Sequence, residues 1–211
     1  MSRENILHRV RTALGRSEGQ PPASPPPVRL RPAETDRETR ISSMLDRVEA
    51  LAGKTYRAST LEDACRFAAS MLAGKTAVAS NAPFLATCGV TALPGVRSGV
   101  TDREELRGLC ASCDFGITSA DYALGDTGTL VMLSSPEEAR MVSLLPPAHL
   151  AIVPADRILG SLDELFTILP NPAERTSSMV LITGPSRTAD IEQILVRGVH
   201  GPGEITVVVV D

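Results

Sequence analysis

The stretch SSMVLITGPSRTADIEQILVRGVHGPGEITVVVV, residues 177–210, decides the fold of this chain. It begins and ends with short apolar runs, SSMVLI and ITVVVV, whose length and composition are typical of buried strands. The polar segment that joins them is interrupted by glycine and proline. In open α/β sheets, ligands collect where such loops leave the carboxyl ends of strands. The stretch therefore predicts a functional loop at the edge of a buried sheet.

The chain upstream alternates helical and strand patterns. Residues 34–53 and 60–74 carry apolar side chains at helical spacing, which predicts two amphipathic helices. Short apolar segments between helix-length segments predict an α/β domain with a mostly parallel sheet flanked by helices. The exception is DYALGDTGTLVML, residues 121–133, where turn residues predict a hairpin. The six strand candidates are KTAVAS, FGITSA, GTLVML, HLAIVP, MVLITG and ITVVVV.

The first residues predict a helical arm. Residues 2–15 form an amphipathic pattern with Ser2 as N-cap and Gly15 as C-cap. Five prolines between Pro21 and Pro27 then predict an extended linker. We expect an arm and linker over residues 1–32 and one α/β domain over residues 33–211. The arm could dock on this domain, on a second copy of the chain or on another protein, or it could fray.

Composition narrows the class of protein. The net charge is −4 and no basic stripe is present, so nucleic acid is not an expected partner. No apolar run approaches the roughly 20 residues of a membrane span, and the first residues lack the apolar core of a signal peptide, so we expect a cytoplasmic protein. No glycine pattern matches a dinucleotide or ATP motif.

The four cysteines do not form the framework of a small secreted domain, so we expect reduced thiols. Cys110 and Cys113 form a CxxC pair that could be redox-active or bind metal. Tetrahedral zinc needs two more ligands, and no second pair has suitable spacing. We therefore expect a structural pair and no metal site.

The polar stretch contains candidate anion ligands. Ser186 or Thr188 can cap a helix over residues 189–196, and free N–H groups beside Arg187 would suit a carboxylate or phosphate. The alternative is that both hydroxyls only cap and that Arg187 pairs with Asp190.

The following segment, VRGVHGPGE over residues 196–204, predicts a shaped loop. His200 could act as an acid or base near neutral pH, or could simply donate to a backbone carbonyl. Arg197 could join Arg187 in holding an anion. The stretch thus predicts an anion site built from Ser186, Arg187, Thr188, Asp190, Arg197 and His200.

The segment ADYALGDTGTLVMLSSPEEARMVSLLPPAHLAIVPADRIL, followed by TGPSRTADIEQILVRGVHGPGE, resembles the signature region of the lactate utilization protein C family, the LUD-domain proteins LutC and YkgG. The resemblance runs from Ala120 almost continuously to residue 211. It implies a fold similar to the NagB/RpiA/CoA-transferase group, with a Rossmann-like core. It also implies a role in oxidation of L-lactate to pyruvate with two iron–sulfur partner proteins, which carry the cluster motifs, and no cofactor in this component.

The family motif also transfers to individual residues. GDTGTL is similar to a motif usually written with Glu before Thr-Gly-Thr, and this chain has the shorter Asp126 there, followed by Thr127 and Thr129. The resemblance makes Asp126 a candidate catalytic carboxylate, with His200 as the second catalytic candidate. The alternative is that residues 126–128 only form the hairpin turn.

The matching segment SSPEEARMVSLLPPAHL predicts a helix with Ser135 as N-cap and Glu138 three residues later, as in a capping box. Arg140 and Ser143 could face the same cleft as the loops. His149 precedes a strand, and we expect it to be buried and hydrogen-bonded in the core.

Two classes of function remain open. The first is a non-redox subunit of an L-lactate-oxidising system that binds an organic anion or organises iron–sulfur partners. The second is a stand-alone CoA-transferase-like enzyme that uses a carboxylate on an acyl or sugar-phosphate substrate; this rests on fold kinship alone.

Overall fold

A computed structural model of the chain describes residues 2–17, 19–21, 35–189 and 195–211. The predicted linker after Pro21 and residues 190–194 of the polar stretch lie outside the described residues. The helices are α1 (Arg3–Ala13), α2 (Arg37–Ala50), α3 (Leu61–Met71), α4 (Pro83–Thr87), α5 (Arg103–Ser112), α6 (Arg140–Leu144) and α7 (Leu162–Ile168). The strands are β1 (Lys54–Ala58), β2 (Ala77–Ala79), β3 (Val96–Arg97), β4 (Phe115–Ser119), β5 (Tyr122–Leu124), β6 (Thr129–Leu133), β7 (Ala148–Pro154), β8 (Ile158–Leu159), β9 (Met179–Ile182), β10 (Arg187–Ala189), β11 (Leu195–Arg197) and β12 (Glu204–Val210).

The main sheet has six parallel strands in the order β1-β12-β7-β4-β2-β3. Its central strands are continuous apolar runs because both faces are covered, as is usual in parallel sheets. The predicted α/β class with a mostly parallel sheet is therefore confirmed. The edge strand β1 was missed, because Lys54 and Arg57 are exposed and its residues read as a polar loop.

Helices cover both faces of the main sheet. On one face, α2 buries Ile41, Met44 and Val48 against β7 and β12 together with a second sheet. On the opposite face, α3 and α4 pack against the same strands, with Leu85 fully buried. The second sheet has the order β8-β5-β6-β9, and its β5–β6 pair is the hairpin predicted over residues 121–133.

Strand β9 corrects one expectation. It pairs antiparallel with β6 in the second sheet and does not enter the parallel sheet. The polar stretch therefore does not leave a carboxyl end of the main sheet. It leads instead into the amino end of β12, where the Gly203 N–H donates to the Pro147 carbonyl just before β7, at 2.9 Å.

The helix expected over residues 189–196 is also corrected. Strands β10 and β11 pair antiparallel, with Thr188 opposite Val196, so both ends of the expected helix lie in a two-stranded ribbon. A helix of so few residues is marginal by itself, whereas ribbon pairing satisfies backbone groups across the chain. The anion site cannot then depend on a helix N-terminus.

The helical arm is present as predicted. The Ser2 hydroxyl of α1 accepts the Asn5 backbone N–H at 3.4 Å, and Gly15 follows the helix with φ of 62°. None of the residues in α1 is buried, and Ile6, Val10 and Leu14 are at least half exposed. In the described ranges, no helix combines the length and apolar character needed to cross a membrane.

Gly116 in β4 generates a prediction about stability. An added Cβ would lie 1.8 Å from the Val142 carbonyl oxygen, because α6 packs directly on this strand. We expect Gly116→Ala to lower the free energy of unfolding by about 3 kcal/mol through forced separation of the two elements. Gly108→Ala in α5 is the control, since its Cβ would meet no atom within 4 Å, and it should raise stability by about 0.5–1 kcal/mol. Urea unfolding of both variants measures these changes, and equal stabilities would contradict the prediction.

Candidate functional site

A cavity of about 290 Å³ opens at the amino ends of β7 and β12. We call it the amino-edge pocket. It lies between the main sheet and β9, and the loop before β12 covers one side. Its walls are Ser143 and Leu144 of α6, His149 of β7, residues 180–187, residues 200–202 and Ile205 of β12.

Backbone hydrogen bonds shape the mouth of this pocket. The Ser186 N–H donates to the Pro202 carbonyl at 2.8 Å, and the Gly198 N–H donates to the Ser186 carbonyl at 3.1 Å. Gly184 has φ of 84°, and a side chain there would also press on Leu51. These contacts hold the segment after β9 against the loop before β12, so the two halves of the polar stretch meet.

The pocket brings together three of the predicted site residues, Ser186, Arg187 and His200. The exposed Arg187 guanidinium donates to the Leu51 carbonyl, and no carboxylate among the described residues pairs with it. The guanidinium therefore keeps donors for a ligand at the mouth of the pocket.

His149 lies in the wall of the same pocket. It is 1% exposed, and its Nε2 lies 2.7 Å from the Thr118 hydroxyl, so the expected buried and hydrogen-bonded histidine is confirmed. Its Nδ1 has no partner among the described residues. Burial lowers the pKa of His149 to about 4, which leaves the ring neutral at physiological pH. A neutral ring with one free nitrogen can exchange a hydrogen bond with a ligand oxygen.

The charge of the lining favours an anion. Among its described residues, the pocket contains the Arg187 cation, two histidines and the hydroxyls of Ser143, Thr183 and Ser186, but no carboxylate. Arginine recognises carboxylate and phosphate groups through paired N–H donors. The pocket can bind a small anion at its mouth and form a hydrogen bond between His149 and a ligand oxygen.

Two predicted threonines support the pocket from behind. The buried Thr129 hydroxyl lies 2.8 Å from the hydroxyls of both Thr127 and Thr183. Thr183 is itself part of the pocket wall. Thr127 and Thr129 therefore anchor the segment after β9, while the wall of the pocket is formed by Thr183.

The structure separates Asp126 from His200. Asp126 lies in the hairpin turn and lines a different cavity against α2, together with Arg40 and Ser43. The Ser43 hydroxyl donates to the Gly125 carbonyl at 2.7 Å and fixes this turn on the helix. The two catalytic candidates do not share a cavity.

The remaining candidates are dispersed. Arg140 is exposed, donates to the Ser178 hydroxyl at 3.3 Å and is not part of the pocket wall. Thr188 and Arg197 lie in the ribbon of β10 and β11, and Asp190 is outside the described residues. The structure therefore brings together only part of the predicted constellation.

Sequence reasoning missed the contributions of His149 and Thr183 to the pocket. His149 was assigned to the core from its place before an apolar strand, and that strand pattern is the same whether or not the ring reaches a cavity. The pairing of β4 with β7, which places Gly116 opposite His149, is a tertiary fact that local pattern does not contain.

The CxxC pair lies away from the pocket. Cys110 of α5 is buried in a cluster with Val78 and Val142, and burial raises the pKa of its thiol to about 11. Burial also raises the pKa of the Cys113 thiol, which contacts the Phe115 carbonyl at 3.2 Å. Both effects disfavour the reactive thiolate and support a structural role.

Comparison with known proteins adds independent findings. The sequence model of the family described as LUD domain matches residues 41–210. Lactate utilization protein C 1 of Bacillus mycoides (strain KBAB4) is 36% identical over 117 residues, covering 54% of this chain and 50% of that protein. Lactate utilization protein C of Halalkalibacterium halodurans is 41% identical over 115 residues, covering 53% and 50%. The chain spans about half the length of these curated relatives.

A solved structure supports the fold. The crystal structure of a DUF162 family protein from Deinococcus radiodurans superimposes with a TM-score of 0.64. The match covers 84% of this chain and 100% of that chain at 20% sequence identity. At this identity the likeness shows a shared architecture.

His149 generates a prediction about acid stability. The unfolded chain takes up a proton at this histidine near the ordinary pKa of 6.5, whereas the folded chain does so only near 4. Acid therefore favours unfolding across that window, by up to about 3 kcal/mol. We expect His149→Gln, whose amide can still reach Thr118, to lose less stability than the wild type between pH 6.5 and 4. Urea unfolding at several pH values measures this difference, and parallel pH profiles would contradict it.

Proposed function

The chain belongs to the LUD domain family, and from this premise we propose that it acts in lactate utilization, with the amino-edge pocket holding a small organic anion. The curated relatives named lactate utilization protein C support the assignment to this system. The proposed role is that of a component that supports oxidation of L-lactate to pyruvate by iron–sulfur partner proteins. Those partners accept the two electrons that leave the substrate.

One observation carries the anion-binding proposal. A single cavity unites Arg187, His200 and the free nitrogen of His149, and none of its described wall residues is acidic. Arg187 binds the carboxylate at the mouth, where water-exposed arginine pairs with small anions. His149 exchanges a hydrogen bond with the oxygen on the neighbouring carbon. A neutral histidine suits this task, because it can donate to a carbonyl or accept from a hydroxyl, depending on its tautomer.

In the proposed function, this chain binds the organic anion and the iron–sulfur partners transfer the electrons. Leu181 in the pocket wall and Val199, which directly precedes the wall residue His200, both expose apolar side chains. Exposed apolar groups beside a ligand pocket favour contact with another protein surface. A partner that docks there would cover the anion and exclude water from it.

The first test measures binding of L-lactate and pyruvate by isothermal titration calorimetry. We expect Arg187→Ala to weaken binding of either acid about tenfold, because it removes a charged hydrogen bond to the carboxylate. Arg140→Ala is the matched control, since this exposed arginine is not part of the pocket wall and should bind as the wild type does. Equal affinities in the Arg187 and Arg140 variants would remove Arg187 from the site.

The second test measures L-lactate oxidation by the iron–sulfur partners, reconstituted with and without this chain. We expect activity to require the chain and to fall at least about tenfold with Arg187→Ala. If the partners oxidise lactate equally well without it, the subunit role is wrong. The chain should then be assayed alone on acyl and sugar-phosphate substrates, which is the stand-alone alternative.

A further inference from the structure

A second and larger cavity, of about 470 Å³, lies at the opposite end of the main sheet. We call it the carboxyl-edge cleft. It forms where β2, β4 and β7 end, and its walls come from the segments that follow these strands and β6. The wall residues that bear on its chemistry are Phe84, Ser119, Asp121, Glu138, Pro154 and Arg157.

The cleft sits at the switch point of the sheet. The chain leaves β2 outward to β3, whereas β4 lies on the other side of β2. Helix α4 after β2 packs on one face of the sheet through Leu85, and α5 before β4 packs on the other face through Leu106. The diverging connections open a crevice at the carboxyl ends of β2 and β4, which is the usual ligand position in open α/β sheets.

Glu138 is a buried carboxyl group in the wall of this cleft. It is 6% exposed, and its Oε2 accepts the Ser80 hydroxyl at 2.6 Å. Its Oε1 is buried and has no partner among the described residues. Burial, with a smaller contribution from the Asp121 charge, raises the pKa of Glu138 to about 8 against the opposing effects of the Ser80 hydroxyl and the Ser119 backbone N–H. At neutral pH the group is therefore mostly an un-ionised acid with an O–H to donate.

A tight turn puts Glu138 there. The Ser135 hydroxyl accepts the backbone N–H groups of Glu137 and Glu138 at 3.1 and 3.0 Å, and the Asn81 N–H donates to the Glu137 carbonyl at 2.8 Å. The sequence predicted these bonds as a helix cap, but the helix begins later, at Arg140. Glu138 is thereby turned inward to Ser80 and does not cap the helix as a capping box would require.

Two charged groups flank Glu138 in the cleft. Asp121 accepts the Leu133 N–H at 2.7 Å, and burial raises the pKa of its carboxyl group as well. The Arg157 guanidinium lies 5.7 Å from the centre of the Tyr122 ring and forms no salt bridge of 4 Å or less among the described residues, but its charge opposes the effect of burial on the pKa of Asp121. Phe84 and Pro154 supply apolar wall. The cleft thus offers an acid donor, an arginine cation and an apolar surface.

We propose that the carboxyl-edge cleft is a second ligand site, which takes a monoanion that carries a carbonyl oxygen and an apolar body. Glu138 donates its O–H to the carbonyl oxygen, and Arg157 binds the anionic group. Burial keeps Glu138 protonated, and the Asp121 charge adds a smaller contribution. The site is separate from the amino-edge pocket and does not rest on the function proposed for it.

Binding at this site falls as Glu138 ionises. Four charged groups lie near the Glu138 side chain. Asp121 and Arg157 line the same cleft, and Glu137 lies on the same turn. Arg103 lines a neighbouring cavity together with Ser80. Loss of the Glu138 proton converts a donor into a carboxylate that repels the ligand oxygen. The affinity should therefore decrease through about pH 8.

The test uses 2-oxohexanoate, 5-oxohexanoate and hexanoate, which share one charge and a similar chain but differ in the presence and position of the carbonyl group. Calorimetry at pH 6.5 should show at least one oxo acid binding about tenfold more tightly than hexanoate. In the Arg187→Ala background, where the amino-edge pocket contributes little, Arg157→Ala should abolish binding of all three acids. Above pH 8.5 the preference for the oxo acid should disappear in the wild type.

Two variants of Glu138 distinguish loss of the hydrogen-bond donor from loss of the folded structure. Glu138→Gln keeps a donor without a titrating proton, so it should retain the preference and lose its pH dependence. Glu138→Ala should lose the preference, with circular dichroism showing that the variant is folded. The proposal is overturned if the oxo acids bind no better than hexanoate, or if Glu138→Gln keeps the wild-type pH profile. It is also overturned if Arg187→Ala, in the other pocket, removes binding of the oxo acid.

Discussion

The parallel pairing of β7 with β12 is the interaction on which both cavities depend. It runs in unbroken register from Ala148 opposite Glu204 to Pro154 opposite Val210. Residues 205–210 are all buried, so the strand is held by apolar contacts on both faces as well as by its hydrogen bonds. At one end this pairing sets the loop before β12 beside His149. At the other end, β7 finishes at Pro154, which lines the carboxyl-edge cleft.

Burial has opposite effects on the protonation of the two titratable groups at the ends of the main sheet. His149 lies near the start of β7, and Glu138 lies in the cleft at the carboxyl end of the sheet. Both side chains are buried, and burial disfavours the charged form of each group. The histidine therefore stays deprotonated and the carboxyl group stays protonated, so both are neutral near pH 7. Each keeps one polar atom without a partner among the described residues. In a well-packed interior such atoms are uncommon, and here each belongs to a residue that lines a cavity.

The second sheet is what makes the amino-edge pocket possible. Because β9 pairs with β6 in place of the parallel sheet, the segment after it passes over the main sheet at a distance and leaves space above His149. The hydroxyl contacts of Thr129 with Thr127 and Thr183 fasten this segment to the hairpin. The threonines that follow Asp126 therefore contact the segment that forms the pocket wall, while the Asp126 carboxylate lies in a cavity against α2.

The sequence by itself determined the α/β class, the hairpin at 121–133, the N-cap of α1 and the membership of Ser186, Arg187 and His200 in one loop region, whereas the C-cap of α1 is Leu14 and not the expected Gly15. These features are encoded locally, in apolar runs, turn residues and spacing, which act within a few residues of the chain. Only the tertiary structure decided that β9 joins the second sheet, that residues 187–197 include a ribbon in place of a helix, and that Glu138 turns inward to Ser80. Each of these depends on a partner that is distant in sequence or on burial by other elements. Pairing and desolvation of this kind leave no periodic signal in the segment itself, so the chemistry of both cavities emerged only once the chain was folded.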